Sequence, residues 1–229
     1  MNTQDDPGMT PFTLQDFPGV VACIVWFSGC NFRCSYCHNP ELVNSRFLSM
    51  APETLDTFLK SRVGKLGGVV FSGGECTLSP RIFELARIVK QNDLLLKIDT
   101  NGSSPEVLAE LIEMELIDSV AMDFKAPFAD YGRVAGWSKT EKWRESFALV
   151  QRSNIAFEVR TTVHPDLLSE RDVSNIMYEL NVMGYRGFFY LQNFREGVTL
   201  GNLGKPSSRL DPSRLPIVEG IQVRLRNFN

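Results

Sequence analysis

Short runs of β-branched and other apolar residues alternate with longer amphipathic segments along this chain, and this alternation limits the possible folds more than any other feature of the sequence. Such alternation is typical of repeated βα units around a parallel sheet. Strands are predicted at residues 20–27, 68–72, 94–99, 118–124, 155–162 and 187–192. Helices are predicted at residues 52–62, 80–91, 105–114, 141–152 and 169–183. The sequence therefore predicts an α/β protein.

No low-complexity linker or internal repeat divides this series of elements. The 229 residues, of which 43% are hydrophobic and 22% charged, suffice for one large domain with a substantial core. We therefore predict a single domain over residues 1–229, with its core at about 12–196. The tail, 197–229, carries Gly, Pro and Ser before the run IVEGIQVRL, and its pattern predicts no particular role.

The overall charge and the longest apolar run argue against two classes of partner, although the sequence leaves a local basic patch open. A net charge of −3 and a pI near 5.5 give no basic surface for nucleic acid. The longest apolar run, at 20–27, is too short to span a bilayer, and the opening MNTQDDPGMTPF lacks the pattern of a secretory signal. We expect a cytoplasmic protein with no nucleic-acid or membrane partner.

Every predicted strand is followed by polar or metal-binding residues. In barrels and open α/β sheets the reactive groups lie at the carboxyl ends of the strands, where the loops vary freely. The six strand ends carry, in order, the cysteine loop, Gly73 to Glu75, Asp99 to Gly102, Asp123 with Lys125, Arg160 to Thr162, and Gln192 with Asn193. This agreement predicts an active site at one rim of the sheet.

The second and third strand ends each allow a structural alternative. Residues 99–102 also fit an Asx-type turn before a helix. Gly73 and Gly74 also fit a tight βα turn that needs permissive backbone. Glu75 favours a binding role, because a carboxylate beside two glycines can meet a ligand amine that the missing side chains allow to approach.

The fourth and fifth strand ends are charged. Asp123 and Lys125 suit a solvated ion pair at a strand end, but their i, i+2 spacing places both side chains on one face of a strand. If that face is the barrel interior, both belong to the site. Arg160 is a carboxylate or phosphate clamp if it points inward and a surface cation otherwise, and the pattern does not decide its direction.

Three of the five cysteines lie within eight residues, at Cys30, Cys34 and Cys37. The odd count and the tight cluster favour a reducing compartment and metal binding over disulfides. Structural zinc normally takes four ligands, and His38 is awkwardly placed to complete the set. Three thiolates and a water on zinc are an alternative, but a 4Fe–4S cluster with one iron left open suits the count better.

With these residues in view, the chain resembles the radical S-adenosylmethionine (SAM) superfamily. The resemblance rests on the loop CNFRCSYC, the segment SGGE and the series of six strands, and it covers nearly all of residues 12–196. Within the superfamily the chain is similar to the glycyl-radical-enzyme activases. The segments QDFPG, GCNFRCSYCHNPELV, DTNG, AMDFKAP, VRTTVHPD and LQNF resemble those that serve anaerobic ribonucleoside-triphosphate reductase.

The resemblance implies a fold, a cofactor set and a site. The fold is a partial, laterally open (β/α)6 TIM-type barrel, whose opening admits a glycine loop of a partner protein. Cys30, Cys34 and Cys37 would hold a 4Fe–4S cluster, and SAM would chelate the open iron through its amino and carboxyl groups. The residues implied for SAM are Tyr36, Gly73, Gly74, Glu75, Asp99, Asp123, Lys125 and Arg160. The resemblance also allows a monovalent cation beside the two aspartates.

The implied reaction begins when one electron, from a flavodoxin- or ferredoxin-type reductant, cleaves SAM to methionine and a 5′-deoxyadenosyl radical. The radical then takes the α-hydrogen of a glycine in the partner, a glycyl-radical enzyme such as anaerobic ribonucleotide reductase. Alternatives are a radical SAM enzyme for a small molecule or peptide, or an activase of pyruvate formate-lyase. A non-catalytic zinc or iron–sulfur scaffold is the alternative outside enzymes.

The chain departs from the family pattern at two positions. Cys76 follows GGE where relatives commonly carry proline, and we favour an inert packing residue over a redox-sensitive thiol. Phe194 occupies the neighbourhood in which pyruvate formate-lyase activase places a histidine. We interpret His164 as a turn histidine and Cys23 as a small buried residue of the first predicted strand.

Overall fold

A computed structural model describes residues 8–45 and 49–228 of the chain. In this part of the chain eight strands form one sheet whose spatial order follows the sequence. The strands are β1 (Met9–Thr13), β2 (Ala22–Phe27), β3 (Gly68–Gly73), β4 (Leu95–Thr100), β5 (Ser119–Asp123), β6 (Ala156–Val163), β7 (Gly187–Asn193) and β8 (Ile221–Arg226). Only β1 runs antiparallel to its neighbour, and β2 to β8 are parallel.

Helices connect the parallel strands. They are α1 (Pro40–Asn44), α2 (Pro52–Lys60), α3 (Ile82–Gln91), α4 (Pro105–Glu113), α5 (Tyr131–Ala135), α6 (Thr140–Arg152) and α7 (Glu170–Val182). Proline begins α2 and α4, where its missing N–H removes no helical hydrogen bond. A capping box between Ser169 and Asp172 begins α7.

The predicted fold class is confirmed, and the sheet is wider than predicted. All six predicted strands and all five predicted helices form, with ends displaced by one or two residues. The structure adds β1 at one edge and β8 at the other, so the open sheet has eight strands instead of six. The tail, for which the sequence predicted no role, therefore supplies an edge strand that pairs with β7 over six residues.

The two faces of the sheet differ in chemistry because strand side chains alternate. In β4 and β5, Leu96, Ile98, Val120 and Met122 join the main hydrophobic core. The intervening residues face the other, concave side of the sheet. Under β2 and β3 the concave side is filled by a small apolar cluster of Phe17, Ala22, Ile24 and Val70. From β4 onward this side becomes polar, which places charged groups inside the curve of the sheet.

Within residues 8–45 and 49–228, no helix has the length and the apolar character needed to cross a membrane. Cys23 is fully buried in β2 and belongs to the main core, as predicted.

Candidate active site

A cleft of about 780 Å³ opens at the carboxyl ends of the strands. Its lining comes from the cysteine loop and from residues at or beyond the ends of β2 to β8. It includes Gln15 and Asp16 near one edge of the sheet and Arg226 and Asn227 at the other. The predicted rim therefore exists as one continuous cavity that reaches both edges of the sheet.

The three clustered cysteines all line this cleft. Cys30 and Cys34 are buried, whereas Cys37 is half-buried. Burial raises the pKa of the Cys30 thiol to about 12 and that of Cys34 to about 11. Both groups are therefore protonated thiols at neutral pH until a metal displaces the proton.

The loop that carries the cysteines is held by backbone contacts. The Gly29 amide donates to the carbonyl of Leu42 over 2.6 Å, and the Arg33 amide donates to the carbonyl of Ala135 over 2.7 Å. The Arg33 guanidinium turns back and donates to the carbonyl oxygen of Cys30 over 2.6 Å. These bonds fix the loop from both sides, so the thiols are presented by an ordered backbone.

The donor set fits an iron–sulfur cluster better than a single ion. In the described ranges, no three His, Cys, Asp or Glu side chains are arranged to hold one metal ion. A 4Fe–4S cube does not need that arrangement, because each thiolate binds a different iron. The three cysteines and the cavity beside them suit such a cube.

Gly73 and Gly74 let the end of β3 lie directly against β2 and the cysteine loop. A Cβ on Gly73 would lie 2.3 Å from the carbonyl oxygen of Phe27, and the residue has a φ of 123° that favours glycine. A Cβ on Gly74 would lie 2.1 Å from the carbonyl oxygen of Gly29. Close packing therefore requires both glycines, and their backbone lies in the cleft wall beside Cys30.

The Glu75 carboxylate does not face the cleft, and this differs from the predicted contact with a ligand amine. Its side chain is buried, with 1% of the residue exposed. One oxygen accepts hydrogen bonds from the hydroxyls of Thr77 and Thr100, and the other accepts from the amide of Asn101 over 2.6 Å. Glu75 therefore ties the end of β3 to the loop after β4, and only its backbone adjoins the site.

Five charged side chains form a ladder on the concave face of the sheet. Lys97 Nζ lies 2.5 Å from Asp99, and Arg160 lies 3.0 Å from Asp99 and 2.5 Å from Asp123. Lys125 Nζ completes the ladder 2.8 Å from Asp123. Arg160 thus points inward and bridges two carboxylates, which decides the direction that the sequence left open.

The ladder keeps both carboxylates ionised. Burial favours the neutral acid, but the charges of Arg160 and Lys125 outweigh it and hold the pKa of Asp123 well below its usual range. Arg160 and Lys97 likewise outweigh burial and lower the pKa of Asp99. Each of the four carboxylate oxygens of these aspartates lies within 3.0 Å of Lys97, Lys125 or Arg160, in the region where the resemblance allowed a monovalent cation.

The ladder members differ in their access to the cleft. Asp123, Lys125 and Arg160 line the cavity, whereas Asp99 supports Arg160 from behind. The sequence reasoning missed Lys97, which is 1% exposed and lies in β4 two residues before Asp99. Its signal was a lysine inside an otherwise apolar strand, because a buried ammonium needs a partner.

Tyr36 supplies a buried polar group to the cysteine loop. Its ring is buried and lines the cleft, and the Lys125 ammonium lies 6.0 Å from the ring centroid. Its hydroxyl oxygen is buried without a hydrogen-bond partner. Buried polar groups are normally paired, and the neighbouring group that interacts with this hydroxyl is the Cys34 thiol.

The wall at the ends of β6, β7 and β8 is polar. It carries Thr162, Gln192, Asn193, Arg195, Arg226 and Asn227. The last three escaped the sequence reasoning, since two belong to the tail and one follows the last predicted strand. A strand-like pattern in IQVRL was the signal that could have located them.

The other residues that the sequence analysis discussed are His164, Phe194 and Cys76. His164 is buried in the turn after β6, as predicted, and its ring meets Phe194 edge-on at 4.6 Å. Phe194 also stacks on His38, with ring centroids 5.1 Å apart. Cys76 is fully buried, and its thiol donates to the carbonyl of Asp99 over 3.5 Å. Its position agrees with an inert packing role.

Comparison with known proteins gives matches to one superfamily. The radical SAM superfamily profile matches residues 24–174. The relative named "Putative glycyl-radical enzyme activating enzyme MJ1227", from Methanocaldococcus jannaschii, is 33% identical over 74% of this chain and 72% of its own length. A pyruvate formate-lyase-activating enzyme of Clostridium pasteurianum is 31% identical over 69% of this chain and 68% of its own length.

Solved structures share the fold. A structure of anSMEcpe with bound AdoMet superposes with a TM-score of 0.61 and 21% identity, covering 74% of this chain and 51% of that one. SuiB of Streptococcus suis superposes with a TM-score of 0.62 and 13% identity over 89% of this chain and 48% of its own. The chain thus spans about half the length of these solved structures.

The open parallel sheet and the three-cysteine loop define a class, and the chain belongs to it: the radical SAM superfamily. It is an enzyme of the glycyl-radical-activating class, to which the names of the two relatives above refer. The cofactors of this superfamily are a 4Fe–4S cluster and SAM, and the glycine backbone and the three thiols fit them.

Proposed function

We propose that this chain installs a glycyl radical on a partner enzyme, and that the partner is anaerobic ribonucleoside-triphosphate reductase. The activating class rests on the relatives and the cysteine loop. The particular partner rests on the segments of the sequence that resemble its activases, above all the loop GCNFRCSYCHNPELV and the segment AMDFKAP.

The structural observation that carries a protein substrate is the shape of the cleft. Its lining runs from Gln15 near β1 to Asn227 after β8, and these two edge strands do not pair with each other in the described sheet. Binding pockets for small molecules occupy about 300–1,000 Å³. The volume of about 780 Å³ suits SAM, and the gap between the edges supports entry of a protein loop.

The chain's residues hold and orient the cofactors in this proposal. Cys30, Cys34 and Cys37 hold the cluster, which when reduced supplies the electron that cleaves SAM to methionine and a 5′-deoxyadenosyl radical. The bare backbone at Gly73 and Gly74 allows the amino-acid end of SAM to approach the cluster closely.

Charge and stacking position the rest of SAM in this proposal. Arg160 and Lys125 present positive charge to its carboxylate, and their pairing with Asp123 keeps both side chains in place without a ligand. Tyr36, which lines the cleft, offers its ring to the nucleoside. We assign Glu75 and Asp99 to positioning these groups, because neither carboxylate lines the cleft.

The carboxamides at the ends of β7 and β8 suit a peptide substrate. Gln192, Asn193 and Asn227 each donate and accept hydrogen bonds, as the peptide group does. Such a wall binds a main chain whatever its side chains are, which a glycine loop requires. The electron is proposed to come from a flavodoxin- or ferredoxin-type reductant, in the cytoplasm, whose reducing conditions suit five free cysteines.

The test mixes reconstituted, reduced protein with SAM and the host's anaerobic reductase, and records electron paramagnetic resonance spectra. The expected result is the doublet of a carbon-centred glycyl radical on the reductase, which appears only when SAM is present. If 5′-deoxyadenosine forms without the doublet, the cofactor chemistry stands and the protein partner is wrong. A small molecule or peptide would then be the substrate.

Pyruvate formate-lyase is the second candidate partner, because a pyruvate formate-lyase-activating enzyme is 31% identical to this chain. The same experiment with that enzyme in place of the reductase, at equal concentration, separates the two. A faster and larger radical signal on pyruvate formate-lyase would overturn the choice of partner and leave the reaction class unchanged.

A further inference from the structure

Part of the tail lies directly on the cysteine loop. We call residues 199–204 the strap. The Leu200 amide donates to the carbonyl of Cys37 over 2.9 Å, and the Gly201 amide donates to the carbonyl of Ser35 over 2.8 Å. Two consecutive strap amides thus bind the carbonyls on either side of Tyr36, in the loop that ends with the third cysteine.

The strap approaches so closely that one position tolerates only glycine. A Cβ on Gly201 would lie 2.6 Å from Ser35 Cβ and 2.9 Å from both Ser35 Cα and its carbonyl oxygen. Two of these atoms are backbone, so the contact cannot be relieved by turning a side chain. Gly204, three residues later, has open space around the same position.

The strap is a built turn with its own anchors. The buried hydroxyl of Thr199 accepts from the amide of Leu203 over 2.7 Å, and its carbonyl accepts from the amide of Asn202 over 3.1 Å. At the far end, His164 Nε2 lies 3.1 Å from the carbonyl oxygen of Gly204, which can only accept. His164 therefore donates from Nε2 and holds the strap to the loop after β6.

The strap is bonded to the backbone of the most exposed of the three clustered cysteines, Cys37. Cys30 and Cys34 are buried, whereas Cys37 is half-buried. Iron–sulfur potentials respond to solvent exposure and to hydrogen bonds near the sulfurs. A segment fixed to the Cys37 carbonyl is therefore placed to control both the retention of the cluster and its potential.

We propose that the strap is a positioning element for the cluster, in which the contact of Gly201 with Ser35 holds Cys37 in its metal-binding position and limits water at the iron that it binds. This role rests on the cluster alone and requires no particular partner. Its failure would therefore leave the proposed glycyl-radical reaction untouched, and failure of that reaction would leave the strap untouched.

The test compares Gly201→Ala with its matched control, Gly204→Ala, after anaerobic reconstitution of both and of the wild type. The first readout is the rate at which an iron chelator bleaches the visible absorption of the cluster. Loss of groups that support metal ligands typically costs 10–100-fold in metal affinity, so we expect about tenfold faster iron loss in Gly201→Ala. Gly204→Ala should match the wild type.

The second readout is the reduction potential of the cluster, followed by electron paramagnetic resonance during a redox titration. We expect a shifted potential in Gly201→Ala and an unchanged one in Gly204→Ala. If Gly201→Ala merely melts at a lower temperature, while iron loss and potential equal those of the wild type, the strap is only structural and the proposal is overturned.

Thr199→Val serves if Gly201→Ala does not fold. This variant keeps the shape of the side chain but removes the hydroxyl that accepts from the Leu203 amide. It adds no atom to the contact between Gly201 and Ser35. Faster iron loss and a shifted potential would support the proposal through an independent bond. Wild-type values for both readouts would refute it.

Discussion

The two halves of the cleft are built differently. The half at the ends of β2 to β5 is buried and bound together by the cysteine loop, the Glu75 hydrogen bonds and most of the charged ladder. The half at the ends of β6 to β8 carries half-buried or exposed carboxamides and arginines. The first suits a cofactor that must be held the same way in every turnover, and the second suits an exchangeable partner.

The largest predicted effect is in the cofactor half. Replacing Cys34 by serine removes a buried thiol that lines the cleft, and we expect loss of the cluster and of all SAM cleavage. Iron and acid-labile sulfide after anaerobic reconstitution measure this. Cys23→Ala is the control, because Cys23 is buried in β2 away from the cleft lining. A full cluster in Cys34→Ser, or one zinc without sulfide in the wild type, would contradict the assignment.

The next effect separates the cluster from SAM. Asp123→Ala should retain the cluster but leave Arg160 and Lys125 without their shared carboxylate. Both cations then lose the partner that holds them at the cleft, so SAM binding should weaken by about tenfold, or about 1.4 kcal/mol. Calorimetry on the reconstituted protein measures this, with Asp130→Ala, in an exposed pair with Arg133, as the control. Unchanged SAM affinity would remove Asp123 from the site.

A narrower effect is expected in the substrate half. Arg226 lines the cleft, stacks 3.7 Å from the Tyr190 ring centroid and lies 3.5 Å from Glu158. Arg226→Ala should preserve the cluster and SAM cleavage but lower the yield of partner radical by about tenfold, the scale of one interface contact of about 1.4 kcal/mol. Arg224→Ala is the matched control, because Arg224 stacks on Phe188 outside the cleft. Equal radical yields in both variants would refute a substrate role for this wall.

The smallest effect concerns Cys76. Burial raises the pKa of its thiol well above the usual range, so it stays protonated, and unreactive, at neutral and mildly alkaline pH. We expect no labelling of Cys76 by a thiolate-selective alkylating agent between about pH 7 and 9, read by mass spectrometry of the native protein. Cys76→Ala should change SAM cleavage less than twofold. Rapid labelling of Cys76 would restore the redox-sensitive interpretation.

The same contrast explains what the sequence could predict. The cofactor half follows from contiguous segments, since a loop such as CNFRCSYC places its three thiols by local chain geometry. The six central strands can be recognised in the sequence as apolar runs. In β8, by contrast, arginines alternate with apolar residues after a long irregular segment, and β1 has five residues that include a proline. Both are edge strands, whose pairing is decided by their neighbours rather than by their own composition.

Side-chain direction was the other limit. Glu75 was expected to face the ligand, but its orientation depends on Thr100 and Asn101, which come from the next strand. Arg160 was ambiguous for the same reason, because its partners Asp99 and Asp123 lie on two other strands. A linear pattern places such residues at the rim, and only the assembled sheet decides which of them reach the cavity.

The charged ladder also bears on how the sheet assembles. Asp123 and Arg160 are direct neighbours in the pairing of β5 with β6. A slip of one residue between these strands would turn Arg160 to the apolar, helix-covered face, away from both aspartates, which would keep only Lys97 and Lys125 as partners. An unpaired buried charge costs several kcal/mol, so the mispaired sheet is less stable than the native sheet even without a cofactor. The side chains that are proposed to bind a charged ligand thereby also stabilise the native register of the strands that carry them.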